Sequence, residues 1–248
     1  PSAGVALLRI DRPQARNALS EPVRRALVEH LAAFAADPEV RVAVLTGSRD
    51  IFAAGADLTE LANLGSADMM ERREHGYWDA IAAFPKPLIA AVEGSALGGG
   101  CELAMHADIV VVGETARIGQ PEVRVGIMPG GGGTQRLPRL VGKHRAMLML
   151  LTGRPVSGSE AVAMGLASRA VPDGGALDEA LAIARAVAVL PPIALAAIKK
   201  TVLAGLDRPL DEGLALERRA VAELFDTADQ KEGMRAFLDK RPPRFEGR

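Results

Sequence analysis

The first two-thirds of the chain alternates short apolar runs, rich in β-branched residues, with helix-like segments. The apolar runs are residues 5–10, 40–45, 88–92 and 109–112. Helices are predicted from Ser20-Glu21-Pro22 to Asp37-Pro38 and over 69–83. This alternation predicts an α/β fold of parallel strands with right-handed crossovers, in which ligands bind at the C-terminal ends of the strands.

The last third has a different pattern. Ser157-Gly158-Ser159-Glu160 is typical of a capping box, and only 168–171 has the pattern of an extended segment. The predicted helices are 177–190, 193–204, 211–225 and 230–238. We therefore divide the chain into a core, 1–194, which carries the active site, and a helical C-terminal region, 195–248.

Charge and cysteine content narrow the function classes. The 248 residues include 30 basic and 31 acidic residues, for a formal net charge of −1, which argues against nucleic-acid binding over a broad surface. A single cysteine excludes an internal disulfide and favours a reducing compartment, so we expect a cytoplasmic protein. No apolar run is long enough to span a membrane, and residues 1–4 lack the pattern of a signal peptide.

A glycine cluster, Gly98-Gly99-Gly100, lies between a predicted strand and a predicted helix, with Glu102 in the first turn. Glycine lets backbone N–H groups approach an anionic ligand, although tight packing of helix on strand would also require small residues. Glu102 could serve only to stabilise the start of the helix, through its favourable interaction with the helix dipole. Its apolar neighbours would instead raise its pKa and suit it to proton transfer.

Two further segments could supply a ligand site. In Ala54-Gly55-Ala56-Asp57-Leu58 the small residues permit close approach, Asp57 is predicted to cap a helix, and the Ala56 N–H is free to bind an oxygen. On its own this segment could also be an ordinary turn. Glu122 follows Gln120-Pro121 among apolar residues, where it is either an exposed loop residue or a carboxyl with a shifted pKa.

Other candidate motifs carry less chemistry. The run Gly130-Gly131-Gly132-Gly133 lacks the Lys-Ser/Thr ending of a phosphate-binding loop, so we interpret it as a flexible hinge beside a pocket. Cys101 is interpreted as a structural cysteine. The four histidines do not have the spacing of metal ligands, and no metal site is predicted.

Taken together, six motifs in order resemble the enoyl-CoA hydratase/isomerase (crotonase) family. They are Arg12 to Leu19, Phe52 to Leu58, Ala96 to Ala104, Gly119 to Glu122 with Gly130 to Leu137, Leu151 to Gly153, and Ala161 to Leu166. The resemblance implies a crotonase-like spiral of ββα units with a helical C-terminal trimerisation region, and trimers or hexamers. It implies acyl-CoA thioester substrates, with CoA as part of the substrate and no separate cofactor.

The resemblance also assigns roles to residues. Ala56 and Gly99 would form an oxyanion hole for the thioester carbonyl, Glu102 would activate water for attack on C3, and Glu122 would deliver a proton to C2. The implied substrate and CoA contacts are Arg16, Ala54, Ala56, Asp57, Leu58, Gly98, Gly99, Ile127, Pro129 and Gly130.

The chain departs from the family where lysines often bind CoA phosphates, since Asp50 and Thr59 stand there. Arg49, Arg16, or Lys240 and Arg241 from a neighbouring subunit could take their place.

Two glutamates favour reversible syn hydration of a 2-trans-enoyl-CoA to a 3-hydroxyacyl-CoA, because water addition uses one group to activate water and another to protonate carbon. An enoyl-CoA isomerase or another acyl-CoA lyase is the alternative, and a thioester hydrolase could use the same oxyanion hole. A non-catalytic binding protein would be expected to lose a glutamate or a glycine of the hole. Residues 69–78 and Ile127 are candidates for setting acyl chain length.

Overall fold

The computed structural model describes residues 4–72 and 75–248. The N-terminal prediction about a signal peptide therefore falls largely on residues 1–3, which lie outside the described part. The helix predicted over 69–83 corresponds to two helices, α3 (Ser66–Glu71) and α4 (His75–Ala82), with residues 73–74 outside the described part.

The strands of the described chain are β1 (Val5–Arg9), β2 (Val42–Thr46), β3 (Ile51–Ala53), β4 (Leu88–Val92), β5 (Ser95–Leu97), β6 (Ile109–Gly113), β7 (Arg117–Gly119), β8 (Val156–Ser157) and β9 (Arg169–Val171). Besides α3 and α4, the helices are α1 (Glu21–Ala36), α2 (Leu58–Leu61), α5 (Gly99–Met105), α6 (Gly133–Val141), α7 (Lys143–Thr152), α8 (Gly158–Ala163), α9 (Ala176–Ala188), α10 (Pro192–Gly205), α11 (Leu210–Leu224) and α12 (Ala228–Leu238). Two 3-10 turns are Pro13–Ala15 and Glu122–Val125.

The strands of the described chain form two sheets. The first sheet has the order β1-β2-β4-β6-β9 and is parallel throughout, and the second has the order β3-β5-β7-β8, parallel except for the β7–β8 pair. The chain thus passes from a strand of the first sheet to a strand of the second and then into a helix, three times in succession. The predicted spiral of ββα units is confirmed.

The first sheet is covered on both faces, which explains its unbroken apolar strands. Every residue of β2 and β4 is buried. On one face α9 presents alanines at every fourth position, Ala176, Ala180, Ala184 and Ala188, so its backbone lies close to the sheet. The other face packs into the larger core, which includes Phe52, Leu88 and Leu103.

Helix α1 begins where the sequence predicts, but its first N–H groups are satisfied differently. Ser20 occupies the N-cap position in an extended conformation without a side-chain bond to the helix. The Glu21 N–H instead donates to the carboxylate of Glu60, at 3.0 and 3.2 Å from its two oxygens. The capping box at Ser157 and Glu160 forms as predicted at the start of α8.

The C-terminal helices lie largely outside the core. Neither α10 nor α11 contains a buried residue, although both carry large apolar side chains, among them Ile198, Val202 and Val221. In the described chain no single helix has the length and apolar character of a membrane span. The pair α9–α10 meets those criteria only jointly, by length and composition, and is bent by 113°.

Candidate active site

A cavity of about 800 Å³ opens where the parallel strands β3, β5 and β7 end. Each strand delivers one of the predicted segments, since Ala54–Leu58 follows β3, Gly98 follows β5 and Glu122 comes shortly after β7. The walls include Glu102, Glu122, Arg16, Ala54, Ala56, Asp57, Leu58, Gly98, Gly99, Ile127 and Gly130. Pro129 is the exception among the predicted contacts, because it is buried beside Gly133 and does not line the cavity.

The backbone N–H groups of Ala56 and Gly99 belong to neighbouring segments of the cavity wall. A Cβ on Gly99 would lie 3.6 Å from the Ala56 nitrogen, so the two segments are in contact. Gly99 is the first residue of α5, where the helix leaves its N–H groups without acceptors. Within residues 4–72 and 75–248 neither N–H donates to a protein acceptor. The pair can therefore hold one ligand oxygen.

The three consecutive glycines serve different purposes. Gly98 has φ +54°, a conformation that favours glycine, and a Cβ there would lie 3.1 Å from Glu122 Oε1. A Cβ on Gly100 would lie 2.1 Å from the carbonyl oxygen of Ala53, so this glycine permits close packing of α5 on β3. Tight packing, one of the two alternatives left open by the sequence, thus applies to Gly100, and ligand binding by the Gly99 N–H stays a prediction.

Glu102 is buried, with 3% of its surface exposed, and is held by the turn that precedes α6. Its Oε1 accepts the N–H groups of Gly131 and Gly133, at 2.7 and 2.8 Å. Burial raises the pKa of Glu102, and these two N–H donors oppose the rise. The glycine run that the sequence analysis interprets as a hinge beside a pocket does line the cavity, and two of its N–H groups bind this carboxylate, leaving Oε2 for a ligand.

Trp78 and His106 form a stacked pair beside Glu102. Their ring centroids are 5.3 Å apart, and His106 Nδ1 lies 2.8 Å from the Glu102 carbonyl oxygen. A Cβ on Gly131 would meet Trp78 Cε2 at 2.5 Å and Glu102 Oε2 at 2.8 Å, so the indole edge covers this side of the carboxylate. Burial lowers the pKa of His106 to about 4, and the ring is neutral at pH 7.

Glu122 begins the 3-10 turn Glu122–Val125 and also lines the cavity. Burial, and to a smaller extent the charge of Glu102, raises the pKa of Glu122 to about 7. Gln120 is buried and, with its amide nitrogen turned to Glu122, donates to that carboxylate at 2.8 Å from Oε1 and 3.2 Å from Oε2. The cavity therefore contains a carboxyl group whose pKa is raised toward neutral pH.

Cys101 is not placed to act as a nucleophile in the cavity. It is fully buried, and burial raises the pKa of its thiol. A thiol in such surroundings is a poor nucleophile. No cluster of His, Cys, Asp and Glu that could hold a metal ion occurs in the part of the chain that the structure describes.

Positive charge lines one part of the cavity, supplied by Arg12, Arg16, Arg24 and Arg124. Arg12 forms an ion pair with Asp57 at 2.7 Å, and Asp57 also accepts the Thr59 N–H at the start of α2, the cap that the sequence predicts.

The sequence analysis also considers Arg49 and Arg241 as binding partners of the CoA phosphates, and neither lines the cavity of this chain. Arg49 packs beside Gly174, and Arg241 forms a two-pronged ion pair with Glu232.

Sequence reasoning assigned no role to Gln120 or to the N–H groups of Gly131 and Gly133, and it considered Trp78 only for acyl chain length. Gln120 lies inside a motif that the sequence analysis singled out, so its closeness to Glu122 in the sequence could have suggested a contact. The N–H donors of a glycine turn leave no side-chain signal.

A family model, named relatives and solved structures all relate this chain to one protein family. A family model described as enoyl-CoA hydratase/isomerase matches residues 1–248. A Rhizobium meliloti protein named probable enoyl-CoA hydratase is 47% identical over 98% of this chain and 95% of its own length. The 2,3-dehydroadipyl-CoA hydratase of Escherichia coli is 46% identical over 98% of this chain and 96% of its own length. A solved structure from Geobacillus kaustophilus, described as an enoyl-CoA hydratase subunit, superposes with a TM-score of 0.97 at 42% identity, covering 100% of this chain and 96% of the other.

Proposed function

This chain belongs to the enoyl-CoA hydratase/isomerase family, and we propose how its cavity carries out hydration. The chain is an enoyl-CoA hydratase, a carbon–oxygen lyase that acts on acyl-CoA thioesters. Water adds syn to the 2-trans double bond. The C3–O and C2–H bonds form as the π bond breaks, and the reverse reaction is dehydration. One observation carries the assignment: two carboxyl groups with different surroundings share a cavity with two unpaired backbone N–H groups.

The Ala56 and Gly99 N–H groups bind the thioester oxygen. Attack at C3 moves negative charge onto this oxygen, so fixed donors stabilise the transition state more than the ground state. Removing one such donor in other enzymes costs about 10²- to 10³-fold in rate. Both donors come from backbone in tightly packed turns, and they need no reorganisation during the reaction.

Glu102 acts as the base and Glu122 as the acid in the hydration direction. Glu102 Oε1 is occupied by two N–H donors, which favour its ionised form, so Oε2 accepts the proton of the attacking water. Glu122, with its pKa raised to about 7, retains a proton that it delivers to C2. The proton lost by water and the proton gained by carbon balance, and the pair ends with its proton on Glu102.

The CoA moiety enters as part of the substrate, and we include no separate cofactor in the reaction. Its phosphates are bound by cavity arginines, with Arg16 as the first candidate. Ala54 to Leu58 lines the approach, and Ile127 and Gly130 flank the acyl end.

The helical C-terminal region, 195–248, assembles the protein into a homotrimer or homohexamer. The exposed apolar side chains of α10 and α11 support this proposal, and static light scattering would measure the mass. The single cysteine supports a reducing, cytoplasmic location.

The test is loss of the conjugated enoyl-thioester absorbance of crotonyl-CoA, with product analysis, for the wild type and for Glu102→Gln and Glu122→Gln. We expect 3-hydroxybutyryl-CoA from the wild type and rates reduced by about 10²-fold or more in each variant. Release of free CoA thiol would indicate a hydrolase instead. The panel should include longer enoyl-CoAs and 2,3-dehydroadipyl-CoA, the substrate in the name of the Escherichia coli relative. No hydration of any of them would overturn the proposal.

A further inference from the structure

Arg24 is a buried cation on the wall of the substrate cavity. It lies in the first turns of α1 and has 4% of its surface exposed. Burying a guanidinium is costly unless its N–H groups are used, so its hydrogen bonds indicate what it stabilises. The adjacent Arg25 differs, because it is exposed and pairs with Glu21 on the same helix.

The hydrogen bonds of Arg24 lead to the proposed oxyanion hole in two steps. Arg24 Nη1 donates to the carbonyl oxygen of Leu19. The Leu19 N–H donates in turn to the Gly55 carbonyl at 2.8 Å. The Gly55 carbonyl and the Ala56 N–H belong to one planar peptide group and point in opposite directions. Fixing the carbonyl therefore fixes the direction of the N–H.

We propose that Arg24 is a positioning residue for the oxyanion hole, which holds Leu19 and thereby aims the Ala56 N–H into the cavity. The inference rests on the proposed role of that N–H. Leu19 also reaches the second donor, since its Cδ1 would lie 3.5 Å from a Cβ on Gly99. One buried residue thus touches both donor segments, and Arg24 anchors it.

Arg24 has other contacts, and the test must separate them. Its Nη2 lies 3.6 Å from Glu60, and its guanidinium lies over the ring of Tyr77, 5.7 Å from the centroid. Glu60 also pairs with Arg72 at 3.0 Å. Glu60→Gln removes the charge of the ion pair and leaves the bond from Arg24 to Leu19 in place.

The experiment compares Arg24→Met, Arg24→Lys, Glu60→Gln and the matched control Arg25→Met. Steady-state rates with crotonyl-CoA give kcat and KM, and thermal unfolding reports whether each variant is folded. The third readout is the absorption band of bound 2,4-hexadienoyl-CoA. This band moves to longer wavelength when the thioester oxygen accepts stronger hydrogen bonds, so it reports the hole directly.

We expect Arg24→Met to lower kcat by about 10- to 100-fold, the range that follows from a displaced catalytic group, with KM changed less than about threefold. The red shift of the bound dienoyl thioester should shrink in the same variant. Arg24→Lys keeps a cationic donor without the planar fork and should fall between Met and wild type. Arg25→Met and Glu60→Gln should keep the wild-type kcat and band.

Wild-type kcat and band position in Arg24→Met would overturn the inference, and so would Glu60→Gln reproducing the loss. If Arg24→Met does not fold, wild-type values for both readouts in Arg24→Lys would overturn it. Failure of the proposed function is distinguishable, because the wild type itself would then neither hydrate crotonyl-CoA nor shift the dienoyl band.

Discussion

The pH dependence of kcat/KM tests the division of labour between Glu102 and Glu122. In the proposed mechanism, hydration requires one proton on the pair, held by Glu122, and dehydration requires one proton held by Glu102. Both directions therefore use the same ionisation state of the enzyme, with a single proton shared by two carboxylates. We expect kcat/KM to be bell-shaped against pH, with apparent pKa values that belong to the pair.

The pH at which kcat/KM falls on the alkaline side is set by the pKa of Glu122. Loss of the last proton should occur near pH 7, the raised pKa of Glu122. The active fraction is then about half at pH 7 and about one tenth at pH 8, falling tenfold for each further pH unit. If Glu122 had its ordinary pKa near 4.5, almost no enzyme would be active at pH 7. Burial raises this pKa and so keeps a fraction of Glu122 protonated at that pH.

The assay is crotonyl-CoA hydration and 3-hydroxybutyryl-CoA dehydration between pH 5 and 9 at constant ionic strength. Because the overall reaction releases no proton, the two kcat/KM profiles must superimpose, which checks the data internally. Glu122→Gln should lose the alkaline limb. In Glu102→Gln, removal of the Glu102 charge should lower the pKa of Glu122, measurable by NMR of the labelled glutamate carboxyl. A profile that rises or stays flat from pH 6 to 9 would refute the one-proton mechanism.

Three further substitutions have outcomes worked from the same geometry. Glu122→Gln should stabilise the fold at pH 8 by up to about 3 kcal/mol, since a pKa raised from 4.5 to about 7 disfavours folding above pH 4.5, and chemical denaturation should show no gain at pH 4. Gly131→Ala should lower kcat by roughly 100-fold, because its Cβ would overlap Trp78 and displace Glu102, and an unchanged kcat would contradict the positioning of Glu102 by this turn. Ala184→Leu should destabilise by about 1–3 kcal/mol in denaturant titration, because α9 packs against the sheet through fully buried alanines, and Ala184→Gly, which adds no volume, separates overpacking from helix propensity.

The parts of the fold that could be predicted from sequence are those with a strong local signal. Strands β2 and β4 are buried on both faces, so their apolar runs are unbroken, and the capping box at Ser157 is local. Strands β3, β5, β7 and β8 contain two or three residues each and escaped prediction, because so short a segment has no periodicity. These short strands form the second sheet, and their ends position the site.

In the active site, too, only local sequence patterns could be predicted. Segments that place a glycine turn next to a carboxylate within a few residues could be recognised, as for Gly99 and Glu102. The contacts from Gly131 and Gly133 to Glu102 span about thirty residues and use backbone N–H groups, so no side-chain type marks them. The bond from Arg24 to Leu19 is local, but its consequence depends on the pairing of Leu19 with Gly55, which only the fold supplies.

Burial alone would give the two glutamates the opposite roles to those proposed above. Glu102 is the more buried of the two, and desolvation by itself would make it the carboxyl that retains the shared proton. The N–H groups of Gly131 and Gly133 oppose this effect at Glu102, because both donate to its Oε1 and favour the ionised form. The pKa of Glu122, by contrast, is raised to about 7. In the proposed mechanism, the negative charge therefore resides on Glu102 and the proton on Glu122. The proposed division of roles between the two glutamates thus depends on the backbone N–H groups of Gly131 and Gly133, which are directed at Glu102.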